Sequence, residues 1–276
     1  VDGRGAERIG LAQGLPLEQV RAIAFDAGGA LWVGTTGAGA AVVRDGRVTK
    51  VWDAATLGTG LVRGLAPDAA GGVWVAASGG GLTYIRGDAV VPHRAADGFP
   101  SDQVTAVHVD AGGTLWFGTW GAGVGRLRDG LFLTYTTREG LTSDNVRAVC
   151  PGRDDSVWIA TAGGGLNRLK EGRVTAYREA DGLPSDHVSA LLEDRRGRLW
   201  VGTNLEGAAV FERGRFHPLG PAQGLPHHDV RAFLEDRDGN LWIGTIGGGL
   251  TRVAPDGSLR VFTVERDGLP TDRVVA

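Results

Sequence analysis

The sequence is poor in the residues that mark metalloproteins, disulfide-bonded scaffolds and membrane proteins. Its 276 residues include one cysteine, six histidines and no methionine. The single Cys150 cannot form an intramolecular disulfide, and the histidines show no zinc-site spacing. No run of 18 apolar residues predicts a membrane-spanning helix. We therefore expect no metal site, no cofactor and no membrane contact by this chain.

The charge is nearly balanced, with 29 Lys and Arg against 32 Asp and Glu and a formal net charge of −3. This balance and the absence of a basic stripe argue against binding to nucleic acid. No capped segment of helical periodicity and no signal peptide can be recognised. Because the chain opens with Val1, we expect it to be an excised or processed piece of a longer protein.

What the sequence does contain is glycine, 47 residues in all, and a tryptophan that recurs once every 42 residues. A period near 40 residues predicts a solenoid or a propeller built from one repeated module. The period is held without slippage through six modules, and the repeated tryptophans are Trp32, Trp74, Trp116, Trp158, Trp200 and Trp242.

Within a module, apolar residues alternate with others in short segments, which indicates strands. The turns between these segments are rich in Asp and Gly, which favours tight antiparallel hairpins. In the first module the predicted strands are Val20 to Phe25, Ala30 to Thr35, Ala40 to Arg44 and Val48 to Trp52, termed strands A, B, C and D.

Four strands in roughly 40 residues are typical of a propeller blade. We predict an all-β fold, a β-propeller of six four-stranded antiparallel blades in one domain, 1–276, with partial repeats at both ends (1–13 and 267–276). The alternative is a segment of a longer array. The complete blades are predicted at approximately 20–54, 62–96, 104–138, 146–180, 188–222 and 230–266.

The segment from Gly224 to Arg252, GLPHHDVRAFLEDRDGNLWIGTIGGGLTR, resembles the two-component regulator propeller repeat. The resemblance extends over all six modules and implies a sensor propeller of a histidine kinase, in a periplasmic or extracytoplasmic location, that recognises glycans or their fragments. A histidine kinase module in the parent protein is implied as well. The sequence departs from the family in lacking a kinase or transmembrane segment and in having six blades where seven are typical.

The repeated residues are expected to build the scaffold. We expect the tryptophans to pack between adjacent blades and the Asp-rich turns to be hairpins, since they lack the spacing of a calcium loop. The glycines after strand B join two strands, so they do not predict a phosphate-binding loop.

Function is expected where the modules differ, in the D–A and B–C loops, which share one face of a propeller around the channel mouth. Three series vary there. The residues just before strand A are Gln19, Leu61, Gln103, Asn145, His187 and Asp229. The residues two positions later are Arg21, Arg63, Thr105, Arg147, Ser189 and Arg231. The residues after strand B are Thr36, Ser78, Trp120, Ala162, Asn204 and Ile246.

Trp120 is not required by the repeat, and its loop should be exposed. An exposed tryptophan beside arginines and amides favours a sugar or another small anionic ligand. The predicted ligand-binding residues are Trp120, Arg21, Arg63, Arg147, Arg231, Gln19, Gln103, Asn145, His187, Asp229 and Asn204.

Three alternatives stay open. The arginines could be structural and pair with loop carboxylates such as Asp102, Asp144 or Asp186. The same face could bind a protein partner. A propeller lyase or hydrolase could use His187 as base and Asp229 as orienting acid. No spacing of nucleophile, base and orienting group is found, so we expect a non-catalytic protein and assign no catalytic residue.

Overall fold

The computed structural model describes residues 9–17, 19–128 and 130–276. The chain divides into two compact units, Val1–Val104 and Thr105–Ala276. The first eight residues of the partial repeat predicted at 1–13 lie outside the described residues. The expectation of a single domain remains a prediction.

The first unit contains two four-stranded sheets, each with its strands in chain order. One four-residue helix follows the first sheet. The elements are β1 (Val20–Phe25), β2 (Leu31–Thr35), β3 (Ala40–Arg44), β4 (Arg47–Trp52), α1 (Ala54–Leu57), β5 (Val62–Pro67), β6 (Val73–Ala77), β7 (Gly81–Arg86) and β8 (Ala89–His93).

The second unit contains four more sheets of the same order. Sheets three and four comprise β9 (Val104–Val109), β10 (Leu115–Thr119), β11 (Val124–Arg128), β12 (Leu131–Tyr135), β13 (Val146–Pro151), β14 (Val157–Thr161), β15 (Gly165–Lys170) and β16 (Arg173–Tyr177). Sheets five and six comprise β17 (Val188–Glu193), β18 (Leu199–Thr203), β19 (Ala208–Glu212), β20 (Arg215–Leu219), β21 (Val230–Glu235), β22 (Leu241–Thr245), β23 (Leu250–Val253) and β24 (Leu259–Phe262), and α2 (Val264–Asp267) follows.

The six predicted four-stranded antiparallel blades are confirmed, and the fold is that of a six-bladed β-propeller. In the first module, strand B begins one residue later than predicted and strand D one residue earlier. The hairpin between β3 and β4 turns on Asp45 and Gly46, with φ of 50° and 72°. Positive φ at both central residues is the geometry of the tight hairpin turn expected for an Asp-Gly pair.

The D–A connections contain single helical turns that the sequence pattern did not predict. Most are three-residue 3-10 turns, such as Ala95–Asp97 and Glu179–Asp181, and each ends on a glycine with positive φ. In α1, Asp53 caps the turn by accepting a hydrogen bond from the Thr56 backbone at 2.9 Å. One turn is too short to produce a helical hydrophobic period, so local capping is its only sequence signal.

The C-terminal residues continue the repeat. The Val274 backbone N–H donates to Thr245 O at 2.9 Å. A Cβ added at Gly244 would lie 2.9 Å from Val274 Cγ1, just as one added at Gly34 would lie 2.5 Å from Val62 Cγ1. Val274 therefore takes the position that the first residue of strand A takes against the preceding sheet.

Four of the recurrent tryptophans, Trp32, Trp116, Trp158 and Trp200, pack between consecutive sheets, as predicted. In the first unit, Trp32 stacks on Trp52 with ring centroids 4.7 Å apart, and both lie in one cluster with Val62 and Val75 of the next sheet. In the second unit, Trp200 packs with Ile243 of the following sheet. Burial of a large aromatic side chain contributes several kcal/mol, on the order of 3–5 when truncated to alanine.

The indole N–H of the same tryptophan is held by the aspartate that opens the A–B turn. Asp194 is buried, and its Oδ2 accepts from Trp200 Nε1 at 3.0 Å while its Oδ1 accepts from the backbone of Arg196 and Arg198. The Asp-rich turn is therefore a hairpin tied to the core. The equivalent pairs are Asp26 with Trp32, Asp110 with Trp116 and Asp236 with Trp242.

Modules two and four use other partners. Asp68 accepts from the Tyr84 hydroxyl at 2.8 Å. Asp154 accepts from Ser156 and Lys170 and pairs with Arg168. The carboxylate lies near the turn in both modules, but it bonds to side chains of the turn or of the third strand in place of the tryptophan.

Replacing Asp194 by alanine should destabilise the protein by about 3 kcal/mol, because it removes charge-assisted hydrogen bonds and leaves the buried Trp200 N–H unpaired. Asp238 lies exposed in the equivalent turn of module six. Asp238→Ala should stay within about 0.5 kcal/mol of the parent. Chemical denaturation measures both. Equal effects would show that the contact to tryptophan is not what stabilises the turn.

Acid should weaken the same contact. Burial by itself would raise the pKa of Asp194, but the hydrogen bonds from Trp200 and the Arg198 backbone and the Arg198 guanidinium hold this pKa below its usual value. The corresponding pKa of Asp236 is lowered to about 2. A carboxyl whose folded pKa is depressed contributes stability above its unfolded pKa of about 4 and loses it as the pH falls through the folded value.

We therefore expect the melting temperature to fall as the pH is lowered from about 4 toward 2. Asp194→Asn, which cannot ionise, should flatten this acid limb relative to the parent protein. Melting curves at several pH values measure the effect, and parallel acid limbs would contradict it.

Candidate ligand-binding site

The D–A and B–C loops meet through the backbone at the start of every strand A. In the first unit, Thr36 bridges to Leu61 and Ser78 bridges to Gln103. In the second unit the bridged pairs are Trp120 with Asn145, Ala162 with His187, and Ile246 with Arg273. The residue before strand A and the residue after strand B therefore alternate along a hydrogen-bonded row in each unit, here called the loop belt. In the second unit this belt runs from Trp120 to Asn204 and again from Asp229 to Arg273.

The loop belt of the first unit carries two glutamines that are engaged by hydroxyls. Thr36 Oγ1 donates to Gln19 Oε1 at 2.9 Å, and Ser78 Oγ donates to Gln103 Oε1 at 2.7 Å. Both pairs are exposed. Because the side-chain oxygen of each glutamine accepts this hydrogen bond, the amide N–H₂ group is oriented as a donor at the surface.

The loop belt of the second unit carries an aromatic and cationic pair. Trp120 is 45% exposed. The guanidinium carbon of Arg147 lies 5.4 Å from the centre of its ring, a cation–π contact between neighbouring modules. Asn145 joins the two, since it bridges to Trp120 and lies two residues before Arg147. The structure therefore brings together three of the predicted ligand-binding residues.

His187 and Asn204 continue the same belt. The Asn204 backbone N–H donates to His187 O at 3.1 Å. Asn204 Oδ1 is buried and accepts no hydrogen bond from any described residue. A buried acceptor without a donor is uncommon in proteins, and a bound water or ligand is one usual explanation.

The arginine series lies at β-bulges. The pairing of strands A and B shifts register between Val20 and Ala22 in the first sheet (β1 with β2) and between Val62 and Gly64 in the second sheet (β5 with β6). The same shift occurs between Val146 and Ala148 and between Val230 and Ala232. A bulge leaves one residue outside the ladder and changes the direction of its side chain. The residues at these four bulges are Arg21, Arg63, Arg147 and Arg231.

Where this position holds a short hydroxyl residue, it links consecutive sheets. Thr105 Oγ1 donates to Val146 O, and Ser189 Oγ donates to Val230 O, both at 2.6 Å. Sequence reasoning missed this role. The replacement of arginine by Thr or Ser in two of the six modules was the signal that could have indicated it.

Arg231 and Asp229 pair with each other. Arg231 Nη2 donates to Asp229 Oδ2 at 2.7 Å. The carboxylates considered as structural partners of the arginines bond to the backbone of the helical turns. Asp102 accepts from Ala95 N, Asp144 from Thr137 N and Asp186 from Glu179 N.

The residues considered for catalysis are not joined. Asp229 uses its carboxylate for Arg231, and its backbone N–H donates to His227 Nδ1 at 3.0 Å. Among the described residues no hydrogen bond connects His187 with Asp229. Nor does the described part of the chain contain a group of three or more His, Cys, Asp or Glu residues that could hold a metal ion.

Two tryptophans four residues apart allow the scaffold and the candidate site to be separated. Trp116→Ala should cost about 3 to 5 kcal/mol, because Trp116 is buried between sheets. Trp120→Ala should cost about 1 kcal/mol or less, since the ring is half exposed and loses mainly the contact with Arg147. Denaturation curves of the two variants test this. A Trp120→Ala variant as unstable as Trp116→Ala would assign Trp120 to the scaffold.

The comparisons with known proteins agree with this architecture. The sequence model of the two component regulator propeller matches residues 14–37, 98–121, 182–205 and 224–247. No curated protein matches the sequence. The four matched segments belong to the four modules in which the tryptophan N–H is held by aspartate. None of the helices in the described part of the chain has the length and apolar character to cross a membrane.

Several solved structures share the fold. The extracellular domain of the putative hybrid two-component system BT3049 from B. thetaiotaomicron matches with a TM-score of 0.85 and 21% identity, over 96% of this chain and 36% of that chain. PorZ, a component of the type-IX secretion system of Porphyromonas gingivalis, gives 0.74 and 14% over 95% and 44%. A catalytically inactive virginiamycin B lyase from Staphylococcus aureus gives 0.70 and 15% over 91% and 86%.

The chain thus spans about a third of the BT3049 domain, 36% of its length. At these identities the likeness shows the fold alone, whereas the repeat model matches the sequence itself. Segments of four modules match the sequence model of the two-component regulator propeller repeat, so this part of the chain is similar in sequence to that family.

Proposed function

We propose that this chain is a non-catalytic ligand-binding propeller that serves as an extracytoplasmic sensor. Its ligand is a glycan fragment or another small anionic molecule. The main support is the pair formed by Trp120 and Arg147 on the loop belt of the second unit, an exposed indole with a guanidinium 5.4 Å from its ring centre.

The chemistry of this pair suits a sugar acid. An exposed indole offers a flat apolar surface for the C–H face of a sugar ring. A neighbouring guanidinium can donate two parallel hydrogen bonds to a carboxylate or sulfate. Asn204 Oδ1, which is buried and accepts no hydrogen bond within the described residues, could accept one from a ligand hydroxyl. His187 and Asn145 lie between these groups on the belt.

The sensory role and the location rest on family and fold. Four modules match the two-component regulator propeller, and the fold is similar to that of extracellular domains of two-component systems. A histidine kinase module in the parent protein would then read out ligand binding.

Catalysis receives less support. The fold is shared with a lyase, but fold similarity does not transfer a reaction. His187 and Asp229 do not form the hydrogen-bonded pair that a base and its orienting acid require.

The test is a thermal-shift panel of neutral and uronate-containing oligosaccharides, followed by calorimetric titration of those that raise the melting temperature. We expect Trp120→Ala to weaken binding of a validated ligand at least about tenfold. Arg147→Gln should weaken acidic ligands and spare neutral ones. Leu131→Ala, which alters a side chain that is 75% exposed on the outer strand β12, is the matched control and should bind normally.

Unchanged affinity in Trp120→Ala would contradict the proposed site. Binding of a protein partner through Trp120, with no oligosaccharide bound, would favour the alternative of an interaction scaffold, since Trp and Arg are common hot-spot residues. Turnover of a bound sugar would contradict the assignment as a non-catalytic protein.

A further inference from the structure

Arg63 differs from Arg231, which occupies the equivalent bulge in the second unit. Arg63 lies at the bulge of β5 and is partly buried. Its Nε, like that of Arg231, is buried and forms no hydrogen bond to a described residue, so the difference lies in the charge partner of the guanidinium. Burial lowers the pKa of this guanidinium, and no acidic group opposes the shift. The positive charge is therefore partly desolvated and has no counter-charge among the described residues.

The residue two positions earlier accounts for the difference. In module six this residue is Asp229, whose Oδ2 accepts from Arg231 Nη2 at 2.7 Å. In module two the same position is Leu61, which has no charge or side-chain acceptor. Both residues hold the same place on the loop belt, because Ser78 N donates to Leu61 O and Ile246 N donates to Asp229 O. The backbone arrangement is thus shared, and the side chain two residues before the bulge is leucine in one module and aspartate in the other.

A partly buried cation is costly unless an anion or hydrogen-bond acceptors compensate it. The guanidinium suits an oxyanion, because its planar fork matches two oxygens of a carboxylate, sulfate or phosphate. In module six, Asp229 supplies those oxygens from within the chain.

We propose that Arg63 is an oxyanion-binding site of the first unit, which takes a carboxylate, sulfate or phosphate group of a small ligand. The residue two positions before the bulge determines whether such a site is open. Leu61 offers no acceptor, so the Arg63 guanidinium can bind an external oxyanion. The Asp229 carboxylate already accepts a hydrogen bond from Arg231 and takes the place of such an anion. The site is built without Trp120, so it does not depend on the proposed sugar site of the second unit.

The experiment uses the whole chain and simple anions as probes. Sodium acetate, sodium sulfate and sodium phosphate are titrated at constant ionic strength, and the arginine side-chain Nε–H resonances are followed by ¹H–¹⁵N NMR. One resonance should shift and saturate in the millimolar range, and Arg63→Gln should remove that resonance. The three probes distinguish a carboxylate site from a sulfate or phosphate site.

Two substitutions at the position two residues before the bulge test directly whether this residue opens or closes the site. Leu61→Asp keeps Arg63 but supplies an internal carboxylate, so it should weaken anion binding at least about tenfold. Asp229→Leu should open Arg231 and create a second saturable resonance. A gain of binding cannot result from misfolding, so this variant keeps the test decisive even if Arg63→Gln is unstable.

The proposal is overturned if the Arg63 resonance does not respond to any of the three anions, or if it responds equally in the parent and in Leu61→Asp. Trp120→Ala should leave the response intact. A failure of the sugar site and a failure of the anion site are therefore separate observations.

Discussion

The contact on which the structure depends is the tryptophan that packs between two sheets in four of the modules. In four modules the turn of the same sheet also holds the indole N–H of the repeated tryptophan. The ring covers apolar side chains of the following sheet, as Trp200 covers Ile243. The carboxylate of Asp194 satisfies the indole N–H and two backbone N–H groups of the hairpin. A single carboxylate thereby joins the geometry of the hairpin to the packing between sheets.

Modules two and four show how far this constraint can be relaxed. The Tyr84 hydroxyl donates a hydrogen bond to the Asp68 carboxylate, and Ser156 and Lys170 donate to the Asp154 carboxylate. Both modules keep the tryptophan, but neither is matched by the repeat model. The aromatic packing is thus retained in every module, whereas the polar partner of the turn can be exchanged for another one nearby.

A scaffold that repeats its backbone leaves recognition to the side chains of the loop belt. The belt is built by backbone hydrogen bonds, so it accepts Gln, Leu, Asn, His or Asp at the same place. The bulge position shows the consequence. Thr105 and Ser189 join sheets, Arg231 binds Asp229, Arg147 lies over Trp120, and Arg63 follows Leu61, which offers no side-chain acceptor. One backbone site thus serves structural linkage in some modules, and we propose that it binds a ligand in others.

The sequence by itself determined the number of modules, the four strands in each and the scaffold role of the repeated tryptophan, because period and alternation follow directly from strand geometry. It also identified the three variable series. Only the tertiary structure decided which members meet. The distance from Trp120 to Arg147 and the pairing of Asp229 with Arg231 arise from bulges and from bridges between modules. A bulge displaces a single residue, and a bridge joins residues far apart in the chain, such as Trp120 and Asn145. Neither leaves a periodic trace in the sequence, so these contacts could not be predicted from it.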